Sequence, residues 1–297
     1  MQQIGKGIFF ENSYLGVTLG ALVYPQGTVL IDAPLRAEDA RSWRSTLVNQ
    51  RGGPNRMLVS LDAHPDRTLG VRTMDCTIVM HQRAAQVFRN RPTIFKGQNT
   101  ESGSDWETYD DAIGMRWAAP DITFSERLSL HWGGPEVVLE YRPGPTPGSI
   151  WVIIPEAKVI FIGAAVVLNQ PPFLAYADLE DWRSNVDLLL ADYQDFFIVS
   201  GRGGPVTLED VKLQKQVLKD VYDGLERLVK KNASPEDSAK LVPGILARYS
   251  EINRDVISEE QKERYAQRLR HGLYQNFLRR YRPSSVSGQS DADSDEQ

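Results

Sequence analysis

Met57-Leu58-Val59-Ser60-Leu61-Asp62-Ala63-His64-Pro65-Asp66-Arg67-Thr68-Leu69-Gly70 couples an apolar run to a charged loop that a glycine closes. The run from Met57 to Leu61 predicts a buried strand. Side chains alternate along an extended chain, so Asp62 and His64 should leave its end in the same direction. Asp66 follows two positions on, with Arg67 beside it. One imidazole and two carboxylates, His64 with Asp62 and Asp66, are a ligand set that a single Zn, Fe or Mn ion accepts.

Strand signals surround this stretch. Upstream, Gly7 to Tyr14, Leu15 to Tyr24 and Thr28 to Asp32 are rich in β-branched, aromatic and other apolar residues, with a turn at Pro25-Gln26-Gly27. Ala37 to Gln50 predicts a helix with Ala40, Trp43 and Leu47 on one face. Downstream, Cys76 to Met80 predicts a short buried strand feeding a helix from His81. Cys76 reads as a small core residue and His81 as structural. Arg91 to Pro120, with its polar loop Gly97 to Asp105, reads as an insertion over one edge of the sheet. Strands return at Ile122 to Trp132, Val137 to Tyr141, Ser149 to Ile154 and Lys158 to Ile162. Asp178 to Tyr193 then predicts a helix, capped by Asp178, with the stripe Leu179, Trp182, Val186, Leu189 and Leu190.

The central loop resembles the metal-binding loop of the metallo-β-lactamase superfamily, glyoxalase II-like members included. That loop follows a strand with H-x-H-x-D-H; here the same places hold Asp62, His64, Asp66 and Arg67. Three further motifs fall in the family's order. Arg142-Pro143-Gly144-Pro145-Thr146-Pro147-Gly148-Ser149 resembles T-P-G-H-T-P-G-S, with Pro145 at the ligand histidine. Phe161-Ile162-Gly163-Ala164 resembles F-x-G-D, with Ala164 at the bridging aspartate. Phe196 to Pro205 resembles the final strand and its P-G-H-G-P loop, with Arg202 at the last histidine. Leu30-Ile31-Asp32-Ala33-Pro34 resembles the hairpin end I-D-T-G, and Asp32 reads as a structural acceptor beneath the site. The resemblance implies an α/β fold, a four-layer αββα sandwich, over residues 1–206.

A helical C-terminal extension is expected over 207–282 and a disordered acidic tail over 283–297. Thr207, Ser234 and Ser258 each open a helix, with an acidic or amide residue three positions on. The last helix repeats Tyr265, Leu269, Leu273, Phe277 and Tyr281 every four residues. Arg264, Arg268, Arg270, Arg279 and Arg280 surround that stripe, and the helix reads as packed on the domain with solvated arginines.

Composition bounds the function classes. The chain of 297 residues is 41% hydrophobic and 25% charged, with one cysteine and a net charge of −5. Such balance argues against general nucleic-acid binding. No apolar run approaches a membrane span. The N-terminal residues do not follow a signal-peptide pattern, and with the single Cys76 a cytoplasmic location is the expectation.

The family's zinc ions generate a hydroxide that hydrolyses thioesters, lactones, lactams or phosphodiesters. Proline and alanine side chains carry no donor, and arginine stays cationic. With Pro145, Ala164, Arg67 and Arg202 at ligand positions, a dinuclear site is not expected, and no cofactor is expected. The alternative is one Zn, Fe or Mn ion on Asp62, His64 and Asp66. The expected replacement is salt bridging of Asp62 and Asp66 with Arg67 and Arg202. Three functions stay open: a pseudoenzyme that uses the fold or old cleft for binding, with a small anionic ligand as the partner the cleft suggests; an atypical hydrolase of an ester-like or phosphorylated substrate; and an assembly protein using its C-terminal helices. Catalytic residues and oligomeric state are not assigned.

Overall fold

The computed structural model describes residues 1–50, 52–96, 107, 109–250 and 258–282. Two sheets stack face to face. The first holds seven strands in chain order: β1 (Gln2–Gly5), β2 (Ile8–Glu11), β3 (Leu19–Tyr24), β4 (Gly27–Ile31), β5 (Asn55–Val59), β6 (Thr77–His81) and β7 (Ile122–Phe124). Its pairings are antiparallel from β1 to β4 and parallel from β4 to β7. The second sheet has six strands, β8 (Arg127–Leu130), β9 (Val137–Tyr141), β10 (Ile150–Ile154), β11 (Val159–Phe161), β12 (Phe197–Ser200) and β13 (Gly204–Val206), antiparallel except for the β11–β12 pair.

Period-2 alternation explains the layering, because each central strand is apolar on both faces. Ile31, Val59 and Val79 meet Val152, Phe161 and Val199 between the sheets. Leu30, Leu58 and Met80 face outward onto α1 (Ala37–Val48) and α4 (Gln82–Arg89), whose Trp43 and Ala84 cover them. Ile153, Ile160 and Ile198 face the other way, onto α5 (Leu179–Asp192), α6 (Leu208–Lys230), α7 (Val242–Ser250) and α8 (Glu259–Tyr281). Three apolar interfaces thus make four layers, the αββα arrangement, with α6 to α8 sharing the core of the second sheet. Two single-turn helices, α2 (Pro65–Thr68) and α3 (Val71–Met74), follow the central strand.

Several local expectations need correction. Ile122 to Trp132 is two strands, β7 and β8, which lie in different sheets; the chain crosses at Ser125-Glu126. Ser13 to Thr18 is loop, while Gln2–Gly5 and Gly204–Val206 form edge strands that carry little apolar signal. Ser234 and Asp237 do form a reciprocal capping box, but it opens a 3-10 helix that leads into α7. Thr207 caps α6 with Asp210, and Ser258 caps α8 by accepting the Gln261 N–H. His81 caps α4, holds the Ser125 carbonyl at 2.7 Å and stacks on Tyr141. Among the described residues no helix is long and apolar enough to cross a membrane. The polar loop Gly97 to Asp105 and the tail 283–297 lie outside the described residues.

Candidate functional site

Strand ends gather the charged side chains. At the end of β4, Asp32 turns the chain with a left-handed φ of 57°, a conformation that aspartate tolerates better than most residues. Its Oδ1 accepts the Leu61 N–H at 2.9 Å, which ties the end of β4 to the end of β5. Its Oδ2 accepts from Arg67 Nη1 at 2.8 Å. Arg67 is wholly buried, and its Nε lies 3.3 Å from Asp62 Oδ1. That same oxygen receives the His64 N–H at 2.9 Å and faces His64 Nδ1 at 3.1 Å. Asp66 pairs with Arg202, which also donates to the Gly16 carbonyl at 3.1 Å and lies over the Phe173 ring at 4.4 Å.

Glycines make room for the guanidinium of Arg67. A Cβ on Gly201 would stand 2.7 Å from Nη1, and one on Gly163 would stand 3.8 Å away. Arg67 therefore fills the space between the turns that follow β11 and β12. Two of the contacts in this network, Arg67 Nε with Asp62 and Arg202 with Asp66 Oδ2, are charge pairs outside hydrogen-bond geometry.

Three buried carboxyls, Asp32, Asp62 and Asp66, face two guanidinium groups, Arg67 and Arg202. Burial pushes Asp32 from 3.8 up to about 7; Arg67 opposes the rise, while Asp62 and Asp66 add to it. Burial would also raise Asp62, but Arg67 and the His64 contacts outweigh it and hold that carboxyl well below the usual range. Burial disfavours the charged form of Arg67, yet Asp62, Asp32 and Asp66 together raise its pKa above the ordinary value. Asp32 thus takes a proton before Asp62 does.

Beside this network opens a cavity of about 510 Å³, lined by His64, Arg91, Pro145, Phe173, Arg268 and His271 among others. None of the described residues lining it is acidic. Arg91 donates to the Ala63 carbonyl at 2.9 Å and lies over the rings of Trp117 at 4.5 Å and Phe88 at 5.2 Å. Burial brings its pKa down to about 10, so it remains cationic at neutral pH. Arg268 comes from α8, donates to Gln170 Oε1 at 2.8 Å and to the Pro171 carbonyl at 2.9 Å, and stacks on Phe173 at 4.0 Å. It is only 3% exposed, which corrects the expectation of solvated arginines around that helix.

Solved structures resemble this arrangement of layers. A stereoselective inverting sec-alkylsulfatase from Pseudomonas sp. aligns over 96% of this chain with a TM-score of 0.64 and 14% identity. This chain spans only 51% of that protein's length. A metallo-β-lactamase from Pontibacter korlensis aligns over 73% of this chain and 97% of its own, with a TM-score of 0.58 and 18% identity. The DIM-1 metallo-β-lactamase aligns over 73% and 95%, at 0.56 and 15%. The chain has a metallo-β-lactamase fold. No protein-family model matches it, and no curated protein does.

In this metallo-β-lactamase fold the sequence-predicted positions converge. Asp62, His64, Asp66, Arg67 and Arg202 form one network; Pro145 stands with His64 on the cavity wall, and Ala164 is buried directly after Gly163. The donor set does not suit the fold's metal pair. Asp62 is turned to Arg67 and Asp66 to Arg202, Pro145 and Ala164 offer no donor, and both added side chains are cations. Among the described residues no group of three or more His, Cys, Asp or Glu side chains is arranged to hold an ion. The sequence pointed to Asp62–Arg67 pairing but not to Asp32 as a second partner of the same guanidinium. No motif in it pointed to Arg91, Phe173, Arg268 or His271 in the cavity. The one available signal was Arg268 itself, which immediately precedes Leu269 of the apolar stripe and so sits at the edge of the buried face.

Proposed function

We propose that this chain is a non-catalytic metallo-β-lactamase-fold protein, a pseudoenzyme whose old cleft serves for binding. The observation that carries the reading is the pair of buried arginines: Arg67 bridges Asp32 and Asp62, and Arg202 holds Asp66. Guanidinium groups at the former ligand positions neutralise the carboxylates that a metal would need, and they repel a cation. Leu269, Leu273 and Phe277 of α8 are spent on the core of this body, so support for the assembly reading is weaker.

Elemental analysis of protein purified without added metal tests the proposal. Zinc, iron and manganese should each stand well below one equivalent, and EDTA should leave the melting temperature unchanged, since a metal bound only to the native state would stabilise it by mass action. Stoichiometric metal that survives dialysis and disappears in His64→Ala would overturn it.

A second reading has one specific observation behind it. Asp62 holds His64 through Nδ1 while the ring borders the cavity, the arrangement by which a carboxylate orients a histidine as a general base. A metal-free hydrolase would then act on ester-like or phosphorylated substrates. Turnover of such substrates by metal-free protein, lost in His64→Gln, would favour this reading over the first.

A further inference from the structure

We infer that the 510 Å³ cavity binds an amphipathic anion, with the headgroup at Arg91 and Arg268 and the apolar tail against Phe173, Leu174 and Pro147. The inference rests on the proposal that the cleft binds ligand, and it names the ligand class.

Size comes first. Small-molecule sites run roughly from 300 to 1,000 Å³ and are mostly apolar, with a few convergent polar groups. This cavity is of that size, and proline, alanine, leucine, valine and aromatic side chains make most of its wall. Charge comes second. Arg91 and Arg268 are both on the wall, His64 and His271 join them, and none of the described lining residues is acidic. The partners of Arg91 are neutral ones, the Ala63 carbonyl and the faces of Phe88 and Trp117, and its Nη1 is buried without a hydrogen-bond partner. A cation whose recorded partners are neutral gains from an anion brought beside it, through a charge-assisted interaction. Rigidity comes third. Stacking on Trp117 holds the Arg91 guanidinium, and Phe173 with Gln170 and Pro171 holds that of Arg268, so little side-chain order is lost on binding.

The arginines and carboxyls of the neighbouring network are not part of this grip. Arg67 and Arg202 spend their charge on Asp32, Asp62 and Asp66. The headgroup site is therefore displaced from the former metal positions, toward α4 and α8. Sulfate, phosphate and carboxylate share the chemistry that two guanidinium groups recognise.

Isothermal titration with octyl sulfate, octyl phosphate and octanoate, all below their micellar concentrations, tests the inference. Octyl glucoside, octylamine and inorganic sulfate are the comparison probes. At least one of the three anionic amphiphiles should bind roughly tenfold or more tightly than octyl glucoside and than inorganic sulfate. Octylamine should not bind, and the tightest headgroup identifies the kind of anion. Added salt should weaken the anions and spare the glucoside. Arg91→Gln should weaken the anions about tenfold and leave the glucoside unchanged, and Arg268→Lys should weaken them as well, because lysine keeps the charge but not the stacked, forked donors. Equal affinity for glucoside and anions, or salt-independent anion binding by the unaltered protein, would overturn the ligand class whether or not the variants fold. Mass analysis of the bound amphiphile separates the two readings. Arg91-dependent binding of an anion that is then cleaved supports the ligand class and refutes the non-catalytic reading. Metal-free protein that binds none of the anions refutes the ligand class and leaves the non-catalytic reading standing.

Discussion

Removing Arg202 tests the buried salt bridge to Asp66. Its side chain is 4% exposed and Asp66 is fully buried, so Arg202→Ala leaves a carboxylate without its partner in a nearly dry place. Breaking such a pair from one side costs about 3–5 kcal/mol, because the stranded charge keeps its desolvation penalty. At roughly 2 °C per kcal/mol for a chain of this length, the melting temperature should fall by about 6–10 °C. Asp66→Ala should cost less, since Arg202 keeps the Gly16 carbonyl and the Phe173 ring. The double variant should recover part of the loss, with a coupling of about 1–3 kcal/mol in urea unfolding. Recovery will be partial, because the contacts to Gly16 and Phe173 are lost whatever stands at position 66. An alternative is that Arg202 is available to a bound anion. In that case Arg202→Ala would leave the melting temperature unchanged and abolish stabilisation by phosphate or sulfate. An unchanged melting temperature would refute the salt-bridge argument outright.

Two further outcomes follow from the same network. Asp32 has a folded pKa raised from 3.8 to about 7, so its contribution to stability is present in full below 3.8 and is lost as the pH rises through 7. The unfolding free energy of the unaltered protein, measured relative to Asp32→Asn, should therefore decline across that window; a flat difference would show that Asp32 does not take the proton. Gly201→Ala places a methyl group 2.7 Å from Arg67 Nη1 and 3.0 Å from Nη2, and should destabilise by about 1–3 kcal/mol in chemical denaturation. A variant as stable as the parent would mean that the guanidinium does not occupy the space beside Gly201.

The sheets were legible because buried strands announce themselves. Met57 to Leu61 and Lys158 to Ile162 are largely apolar runs, and they overlap the central strands β5 and β11. Edge strands were not legible: Gln2–Gly5 and Gly204–Val206 are short and polar or glycine-containing, so backbone pairing with β2 and β12 makes them strands. The crossing between sheets at Ser125-Glu126 was hidden for a related reason, since Ile122 to Trp132 has apolar residues throughout and nothing in a period-2 pattern says which sheet each half joins. Local motifs brought Asp62, His64, Asp66, Arg67 and Arg202 to notice, because each sits at the end of an apolar run. Apart from His64 and Pro145, the cavity residues that matter come from α4 and the turn after it, the loop before α5, and α8, which are far apart in the chain and carry no shared motif.

Charge balance alone does not explain why the network includes Asp32. Two guanidinium groups offset two carboxylates, and Asp62 with Asp66 would have sufficed for Arg67 and Arg202. The third carboxyl, at the end of β4, acts as a tie instead. It joins the Leu61 N–H to the Arg67 guanidinium, so the ends of β4 and β5 and the loop beyond are held at one point. Arg67 then reaches across to the turns after β11 and β12, where Gly163 and Gly201 leave it space, and Arg202 returns from the second sheet to Asp66. Buried ion pairs contribute little net stability compared with apolar packing, but each one penalises any arrangement that leaves a charge unmatched. The network therefore specifies how the two sheets meet at this edge. Within it, burial pushes the pKa of Asp32 up to about 7, so this carboxyl can lose its charge near neutral pH. The adjoining cavity has Arg91 and Arg268 on its wall and no acidic side chain among its described lining residues, which is the basis for the proposed binding of an anion without a metal.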